Sequence, residues 1–144
     1  MSSLLNIKAF FDLAENEYNY KKDLIIIAGP TCVGKSMIAM KLAKQINGVL
    51  VNADSVQVYE DLKLLSARPT EEDMEQVPHF LYGYVKSQTN YSIVDWLQQL
   101  RKVLDNLEKI KKTAILVGGS GLYLKAVVNG LAPIPKLREE TKIK

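Results

Sequence analysis

The sequence lacks the features of several specialised classes of protein. It contains one cysteine, Cys32, so no intramolecular disulfide can form, and the absence of a disulfide framework favours a reducing compartment. Its longest unbroken apolar run, residues 24–28, is far too short to span a bilayer. The N-terminus has neither the basic start nor the long apolar stretch of a signal peptide. We therefore expect a cytoplasmic protein with no membrane partner.

Neither sign of charge dominates. The 19 Lys and Arg residues and the 16 Asp and Glu residues leave a formal net charge of +3, and the basic residues are spread along the chain. This balance permits a nucleic-acid partner without arguing for one. The 144 residues, 47% of them hydrophobic, are enough for about one globular domain. We predict an N-terminal arm or short helix over residues 1–22 and one folded core over residues 23–144.

The order of apolar residues predicts strands and helices in alternation. Residues 24–28 form a β-branched run that ends in glycine, which is typical of a strand buried on both faces. Apolar residues at helical spacing follow from Ile38 to Ile46 and end at Asn47-Gly48, a natural helix stop. Further strands are predicted at residues 49–51, in the aromatic stretch 80–85, and directly after Thr113.

The clearest predicted helix begins at Ser92 and Asp95, which have the spacing of a capping box. Its apolar stripe comprises Ile93, Trp96, Leu97, Leu100, Val103, Leu104, Leu107 and Ile110, so we expect Trp96 to pack in the core. A last helix is predicted from Leu122 to Val128, with Gly130 at its C-cap. The alternation predicts an α/β fold in which a parallel sheet is flanked by helices. In such sheets ligands bind at the carboxyl ends of the strands, where residues 29–36, 54–57 and 118–121 fall.

A complete phosphate-binding motif follows the first predicted strand. Residues 29–36 fit G-x-x-x-x-G-K-[ST] at every fixed position, and a helix follows, as in P-loop NTPases. The loop consists of Gly29, Pro30, Thr31, Cys32, Val33, Gly34, Lys35 and Ser36. Its backbone N–H groups and the helix N-terminus favour a phosphate group, Lys35 would reach the phosphate oxygens, and Ser36 would bind Mg²⁺. The motif predicts a di- or triphosphate ligand, such as ATP, and leaves the reaction open.

Asp54 ends the second predicted strand and should therefore face the phosphate loop. A carboxylate in this position could hold Mg²⁺ through water, or it could accept a proton from a nucleophile that attacks the bound phosphate ester. It could equally cap the next turn, which is common for Asp-Ser. Position alone does not separate a cap from a functional carboxylate.

Several short motifs together resemble the tRNA dimethylallyltransferase family. They are Gly29-Pro-Thr-x-x-Gly-Lys-Ser36, Asn52-Ala-Asp-Ser-Val-Gln-Val-Tyr59, Ser66-Ala-Arg-Pro-Thr70, Pro78-His79, Tyr91-Ser92 with Asp95, and Gly118-Gly-Ser-Gly-Leu-Tyr123. They occur in the family's order and at about its spacing, between residues 24 and 135. Each piece is weak alone, but the set is specific.

The resemblance implies transfer of a dimethylallyl group from dimethylallyl diphosphate to N6 of an adenine next to the anticodon of tRNA. It implies that Lys35, the loop and a Mg²⁺ ion on Ser36 stabilise the leaving diphosphate, with Thr31 near the prenyl diphosphate. It implies that Asp54 is the general base. The segment Asp54, Ser55, Val56 and Gln57 would contact the target base, and Ser120 would contact tRNA, although the family usually has threonine there.

The resemblance also implies a parent protein roughly twice this long, so we expect this sequence to be an incomplete form of an enzyme that acts as a monomer. Two alternatives remain open at this point. A small P-loop kinase would use the same loop and a similar Asp, although no arginine-rich lid follows Asp54. A non-catalytic diphosphate-binding fragment is the other. His79, the only histidine, is given no chemical role.

Overall fold

A computed structural model describes residues 24–62 and 67–130 of the chain, so the predicted N-terminal arm lies outside the described residues. The strands are β1 (Ile25–Ala28), β2 (Val49–Asn52), β3 (His79–Phe80) and β4 (Ala114–Gly118). The α-helices are α1 (Lys35–Ile46), α2 (Glu71–Gln76), α3 (Ile93–Lys109) and α4 (Gly121–Asn129), and a 3₁₀-helix covers Glu60–Leu62. None of the helices in the described ranges combines the length and the apolarity needed to cross a membrane.

The four strands form one parallel sheet in the order β1-β4-β2-β3. Because every pair is parallel, the carboxyl ends of all four strands meet at the same edge. The central strand β4 pairs with β1 on one side and β2 on the other. The loop after β4 therefore lies between the loops that follow β1 and β2, and the predicted parallel sheet is confirmed.

Helices cover both faces of the sheet, as alternation along the strands requires. On one face Leu50 and Ile115 pack with Ala39, Leu42 and Ala43 of α1. On the other face the strand residues Val49, Val51, Ala114 and Leu116 pack with α3 and α4, through Trp96, Leu100, Leu107 and Tyr123. The chain thus has the α/β architecture, with a parallel sheet between helices, that the sequence predicts.

The predicted helix boundaries have the expected local causes. Asn47 ends α1 in the left-handed conformation with φ of 51°, and the Gly48 N–H donates to the Ala43 carbonyl at 2.8 Å. Ser92 and Asp95 form both bonds of the capping box that begins α3. Trp96 is fully buried, as predicted for core packing. The last residue of the predicted stripe, Ile110, instead lies just beyond α3 and is 63% exposed.

Two predictions about strands were wrong in part. Within the described residues β1 is an outer strand of the sheet, paired on one side only. Its side chains are alternately half-buried and exposed, so the strand is not buried on both faces. The aromatic stretch 80–85 is a strand only at its first residue, because Leu81 and Gly83 take positive φ values of 64° and 53°. Backbone N–H groups of this stretch instead donate to the loop after β2, where the Val58 carbonyl accepts from Tyr84 and Val85.

We expect the buried face of α1 to carry most of that helix's contribution to stability. Leu42→Ala removes a side chain that is 1% exposed and should lower the free energy of unfolding by about 2–5 kcal/mol. Met37→Ala, five residues earlier in α1 and 60% exposed, is the matched control and should change this free energy by less than about 0.5 kcal/mol. Urea denaturation measures both, and equal losses would contradict the described packing.

Candidate phosphate site at the carboxyl edge of the sheet

The loop between β1 and α1 has the form of a phosphate-binding loop. It leaves the sheet at Gly29 and enters α1 at Lys35. Gly34 is the N-cap residue with φ of 86°, a left-handed conformation that is open to glycine and costly for other residues. No side chain caps α1, and its first turn has no acidic residue. The free N–H groups and the positive end of the helix dipole are therefore available to an anion.

Lys35 lies over this loop. Its ammonium group donates to the Pro30 carbonyl at 2.5 Å, so the side chain folds back across the loop that precedes it. The same nitrogen would lie 3.9 Å from a Cβ built on Gly119, which puts the ammonium beside the loop after β4. Thr31, Cys32, Val33 and Ser36 are exposed on the surface of the loop. The lysine charge is thus held where the loop, the helix N-terminus and the β4 loop meet.

The two glycines after β4 connect the phosphate loop to the Asp54 turn. A Cβ on Gly118 would lie 2.2 Å from the carbonyl oxygen of Ala53, and one on Gly119 would lie 2.9 Å from that of Gly29. Separations below 3.0 Å are sterically forbidden, so the backbone approaches both neighbours as closely as glycine alone allows. The sequence-predicted clusters at residues 29–36, 54–57 and 118–121 are therefore brought together.

Asp54 lies at the start of the turn after β2 and is half-buried. Its Oδ1 accepts from the Val56 N–H at 2.8 Å, which is the turn-capping bond considered from the sequence. Within the described residues no hydrogen bond engages the second carboxylate oxygen. The cap and a chemical role are thus compatible, because one oxygen orients the carboxylate and the other stays available.

Ser120 ties the β4 loop to the same turn. Its hydroxyl accepts from the Ser55 N–H at 2.8 Å and donates to the Ser55 hydroxyl at 3.2 Å. Although Ser120 is the N-cap residue of α4, it makes no capping bond, since the hydroxyl is used by Ser55. On the far side of the turn, the Gln57 carbonyl accepts from the Gly83 N–H at 2.8 Å. Ser55 and Val56 are exposed between these two anchors.

Two tyrosines lie within electrostatic reach of Asp54. Burial, followed by the charge of Asp54, raises the pKa of the Tyr82 hydroxyl above its usual value. Burial also raises the pKa of Tyr123 to about 12, with smaller contributions from neighbouring tyrosines and from Asp54. Both phenols therefore stay neutral near pH 7 and can act as hydrogen-bond donors.

The His79 side chain contacts neighbouring residues of its own segment. The ring Nδ1 lies 2.7 Å from the Val77 carbonyl and donates to it, and the ring meets Tyr82 edge to face at 5.4 Å. Burial lowers the pKa of the imidazole, which favours the neutral ring.

Ser36 is the residue that suits a metal ion. Its hydroxyl is exposed in the first turn of α1, directly after Lys35. In the described ranges no group of three or more His, Cys, Asp or Glu side chains could hold a metal ion. Phosphate loops bind Mg²⁺ with a Ser or Thr hydroxyl, few protein oxygens and the oxygens of the ligand itself. The exposed Ser36 hydroxyl offers one such oxygen beside the loop, and magnesium binding there stays a prediction.

The sequence did not single out Asn52, although its side chain organises the turn. Asn52 is fully buried, and its amide group bonds both the N–H and the carbonyl of Asp54. The sequence did contain one sign of this role, because Asn52 is the polar residue at the end of the otherwise apolar strand β2.

The parallel sheet and its helices place this chain in the class of P-loop-type α/β proteins, and comparison with known proteins gives the family. A protein-family model described as IPP transferase matches residues 57–144. The tRNA dimethylallyltransferase of Hyphomonas neptunium is 50% identical over 118 residues, which are 82% of this chain and 37% of that protein. That of Pelagibacter ubique is 46% identical over 114 residues, 79% of this chain and 36% of that protein. The chain belongs to the IPP transferase family.

Solved structures agree with this assignment. A eukaryotic dimethylallyltransferase acting on tRNA matches with a TM-score of 0.75 and 29% identity, over 84% of this chain and 31% of its own. The full-length tRNA isopentenylpyrophosphate transferase from Bacillus halodurans matches with a TM-score of 0.74 and 31% identity, over 84% of this chain and 40% of its own. The chain thus spans about two fifths or less of the length of these relatives.

The close approach at Gly118 gives a prediction about the site's framework. Gly118→Ala places a methyl group against the Ala53 backbone and should lower the free energy of unfolding by about 1–3 kcal/mol or more. Gly121→Ala is the matched control, because a Cβ there meets nothing within 4 Å, and it should change stability by about 0.5 kcal/mol or less. If thermal and urea unfolding found the two variants equally stable, the strand ends would be further apart than described.

Proposed function

We propose that this chain forms the diphosphate-binding part of a tRNA dimethylallyltransferase. The reaction transfers a dimethylallyl group from dimethylallyl diphosphate to N6 of an adenine next to the anticodon of tRNA. One observation carries the proposal: a complete phosphate loop and the Asp54 carboxylate lie at one edge of the sheet in a chain of the IPP transferase family. The proposal includes a cytoplasmic location, and we expect the enzyme to act as a monomer.

The phosphate loop would hold the leaving group. The loop N–H groups and the N-terminus of α1 bind the diphosphate, and Lys35 turns from the Pro30 carbonyl to the phosphate oxygens. Thr31, exposed in the loop, would lie near the prenyl diphosphate. Positive charge at this point stabilises the diphosphate as its bond to carbon breaks. Ser36 would hold a Mg²⁺ ion, which supplies further charge to the departing diphosphate.

Asp54 would act as the general base. The exocyclic amine of adenine is a weak nucleophile, because its lone pair is delocalised into the ring. As the N6 nitrogen bonds to the C1 carbon of the prenyl group and the C1–O bond breaks, the amine must lose a proton. The Asp54 carboxylate accepts that proton through the oxygen not bonded to Val56, and the electron pair of the broken bond leaves with the diphosphate.

The turn after Asp54 would meet the target base. Ser55 and Val56 are exposed and Gln57 is half-buried, and these residues lie beside the carboxylate. The adenine must leave its stack to reach this edge. Ser120 would contact tRNA through the remaining acceptor capacity of its hydroxyl, since its two observed bonds are to Ser55. These contacts set the distance and angle of attack.

The proposal predicts that Lys35 dominates diphosphate binding. Lys35→Ala should weaken binding of inorganic diphosphate with Mg²⁺ by about 2–5 kcal/mol, since it removes a charge-assisted contact in the loop. Lys41→Ala, an exposed lysine further along α1, is the matched control and should leave the affinity nearly unchanged. Isothermal titration calorimetry measures both, and equal affinity for Lys35→Ala and the unaltered protein would reject this role.

The proposal also predicts separate effects on binding and on rate at Asp54. At the protein's full natural length, Asp54→Asn should keep its affinity for dimethylallyl diphosphate, while prenyl transfer to tRNA slows about 100-fold or more. Asp105→Asn, on the exposed side of α3, is the control for the loss of one carboxylate. A full rate in Asp54→Asn would make this residue a turn cap only. Phosphoryl transfer from ATP without prenyl transfer would favour a P-loop kinase instead.

A further inference from the structure

The side chain of Asn52 is a fully buried polar group whose hydrogen bonds converge on Asp54. Its Oδ1 accepts from the Asp54 N–H at 2.9 Å. Its Nδ2 donates to the Asp54 carbonyl at 2.9 Å and to the Leu81 carbonyl at 3.0 Å. The orientation of the amide follows from this arrangement, because the oxygen faces a donor and the nitrogen faces two acceptors.

These bonds are not needed to hold the end of β2. The Ala53 N–H already donates to the Val117 carbonyl at 2.8 Å, which extends the pairing of β2 with β4. The Asn52 carbonyl already accepts from the Trp96 indole N–H at 3.1 Å, which ties the strand to α3. Hydrogen bonds to β4 and to α3 thus hold the backbone at the end of β2 without the Asn52 side chain. The side-chain amide additionally constrains Asp54 and Leu81.

We propose that Asn52 is a positioning residue that sets the orientation of the Asp54 carboxylate, an inference that rests on the proposed role of Asp54 as general base. By bonding the N–H and the carbonyl of one residue, the amide restricts rotation about both backbone dihedrals of Asp54. The Val56 N–H then restricts the side chain by holding Oδ1. Together the three contacts leave the remaining carboxylate oxygen with one direction.

The third bond of the amide fixes the opposite wall of the turn. Leu81 has φ of 64°, and its carbonyl points back to Asn52. Of the following residues, Tyr82 is within electrostatic reach of Asp54, and the Gly83 N–H donates to the Gln57 carbonyl at 2.8 Å. Asn52 thus holds the base and the segment that faces it at a constant separation. Catalytic groups must be held within about 0.5 Å of productive geometry. A turn whose backbone dihedrals are not fixed by hydrogen bonds does not provide that precision.

A double-mutant cycle in prenyl transfer tests whether Asn52 acts through Asp54. At the protein's full natural length, Asn52→Ala should lower kcat about 10- to 100-fold and leave KM for dimethylallyl diphosphate within about threefold. Asn52→Ser should have an intermediate rate, because a serine hydroxyl can still accept from the N–H two residues on, though more weakly. The double variant Asn52→Ala, Asp54→Asn should be no slower than Asp54→Asn alone. Losses that multiply would overturn the proposal, as would a wild-type kcat in Asn52→Ala.

Leu107→Ala controls for a general loss of stability. Leu107 is 4% exposed and lies 11 residues after Trp96 in α3, towards the opposite edge of the sheet. At a temperature below its unfolding transition it should keep a kcat within about twofold of wild type. A loss equal to that of Asn52→Ala would assign the effect to stability and refute positioning.

Amide hydrogen exchange provides a readout that does not depend on turnover. In this chain the Asp54 N–H should exchange faster in Asn52→Ala than in the unaltered protein, whereas the Ala53 N–H, bonded to Val117, should keep its protection. Unchanged exchange at Asp54 would overturn the positioning role. If the unaltered full-length protein transferred no prenyl group, the proposed function would fail, and the exchange data would still decide whether Asn52 constrains Asp54.

Discussion

The close approach of the β4 backbone to its two neighbours is the constraint on which the site depends. β4 lies between β1 and β2, so the path of the chain as it leaves β4 sets the separation between the phosphate loop and Asp54. Gly118 lies against the Ala53 carbonyl and Gly119 against the Gly29 carbonyl, with no room for a side chain at either position. Because glycine has no Cβ, the loops that follow three parallel strands can share one small region at the carboxyl edge.

Behind this edge, buried polar groups link the turn to the core. Trp96 stacks on Tyr123 with ring centroids 4.3 Å apart, which joins α3 to α4 beneath the site. The indole N–H bonds the Asn52 carbonyl, and the Asn52 amide bonds Asp54. Buried polar groups of this kind are costly unless they are paired, and the indole N–H and the Asn52 amide both have partners here. The turn that carries the carboxylate proposed as the base is therefore linked by hydrogen bonds to the fully buried residues Asn52 and Trp96.

The family model and the Hyphomonas neptunium relative match different lengths of the chain. The match to the IPP transferase model starts at residue 57, after the phosphate loop and Asp54. The alignment to the Hyphomonas neptunium relative covers 118 residues, too many to fit within 57–144, so the likeness extends upstream of that range. The chain spans 37% of that relative's length. The described edge is the part that binds diphosphate in our proposal.

Local sequence by itself determined α1, α3, α4, the strands β1, β2 and β4, and the phosphate loop. The left-handed residue Asn47 ends α1 and the capping box at Ser92 begins α3, and both depend only on neighbouring residues. Apolar periodicity was sufficient to predict α1, α3 and the parallel sheet. The motif at residues 29–36 and the family resemblance likewise need no coordinates.

Tertiary structure alone decided what depends on contacts between distant residues. The aromatic stretch 80–85 has the composition of a strand, yet it bends, and its N–H groups donate to the carbonyls of Gln57 and Val58. The pairing of Ser120 with Ser55, and of the Asn52 amide with Leu81, joins residues 65 and 29 positions apart. Local propensity carries no information about such pairs, because they depend on which strands lie side by side in the order β1-β4-β2-β3.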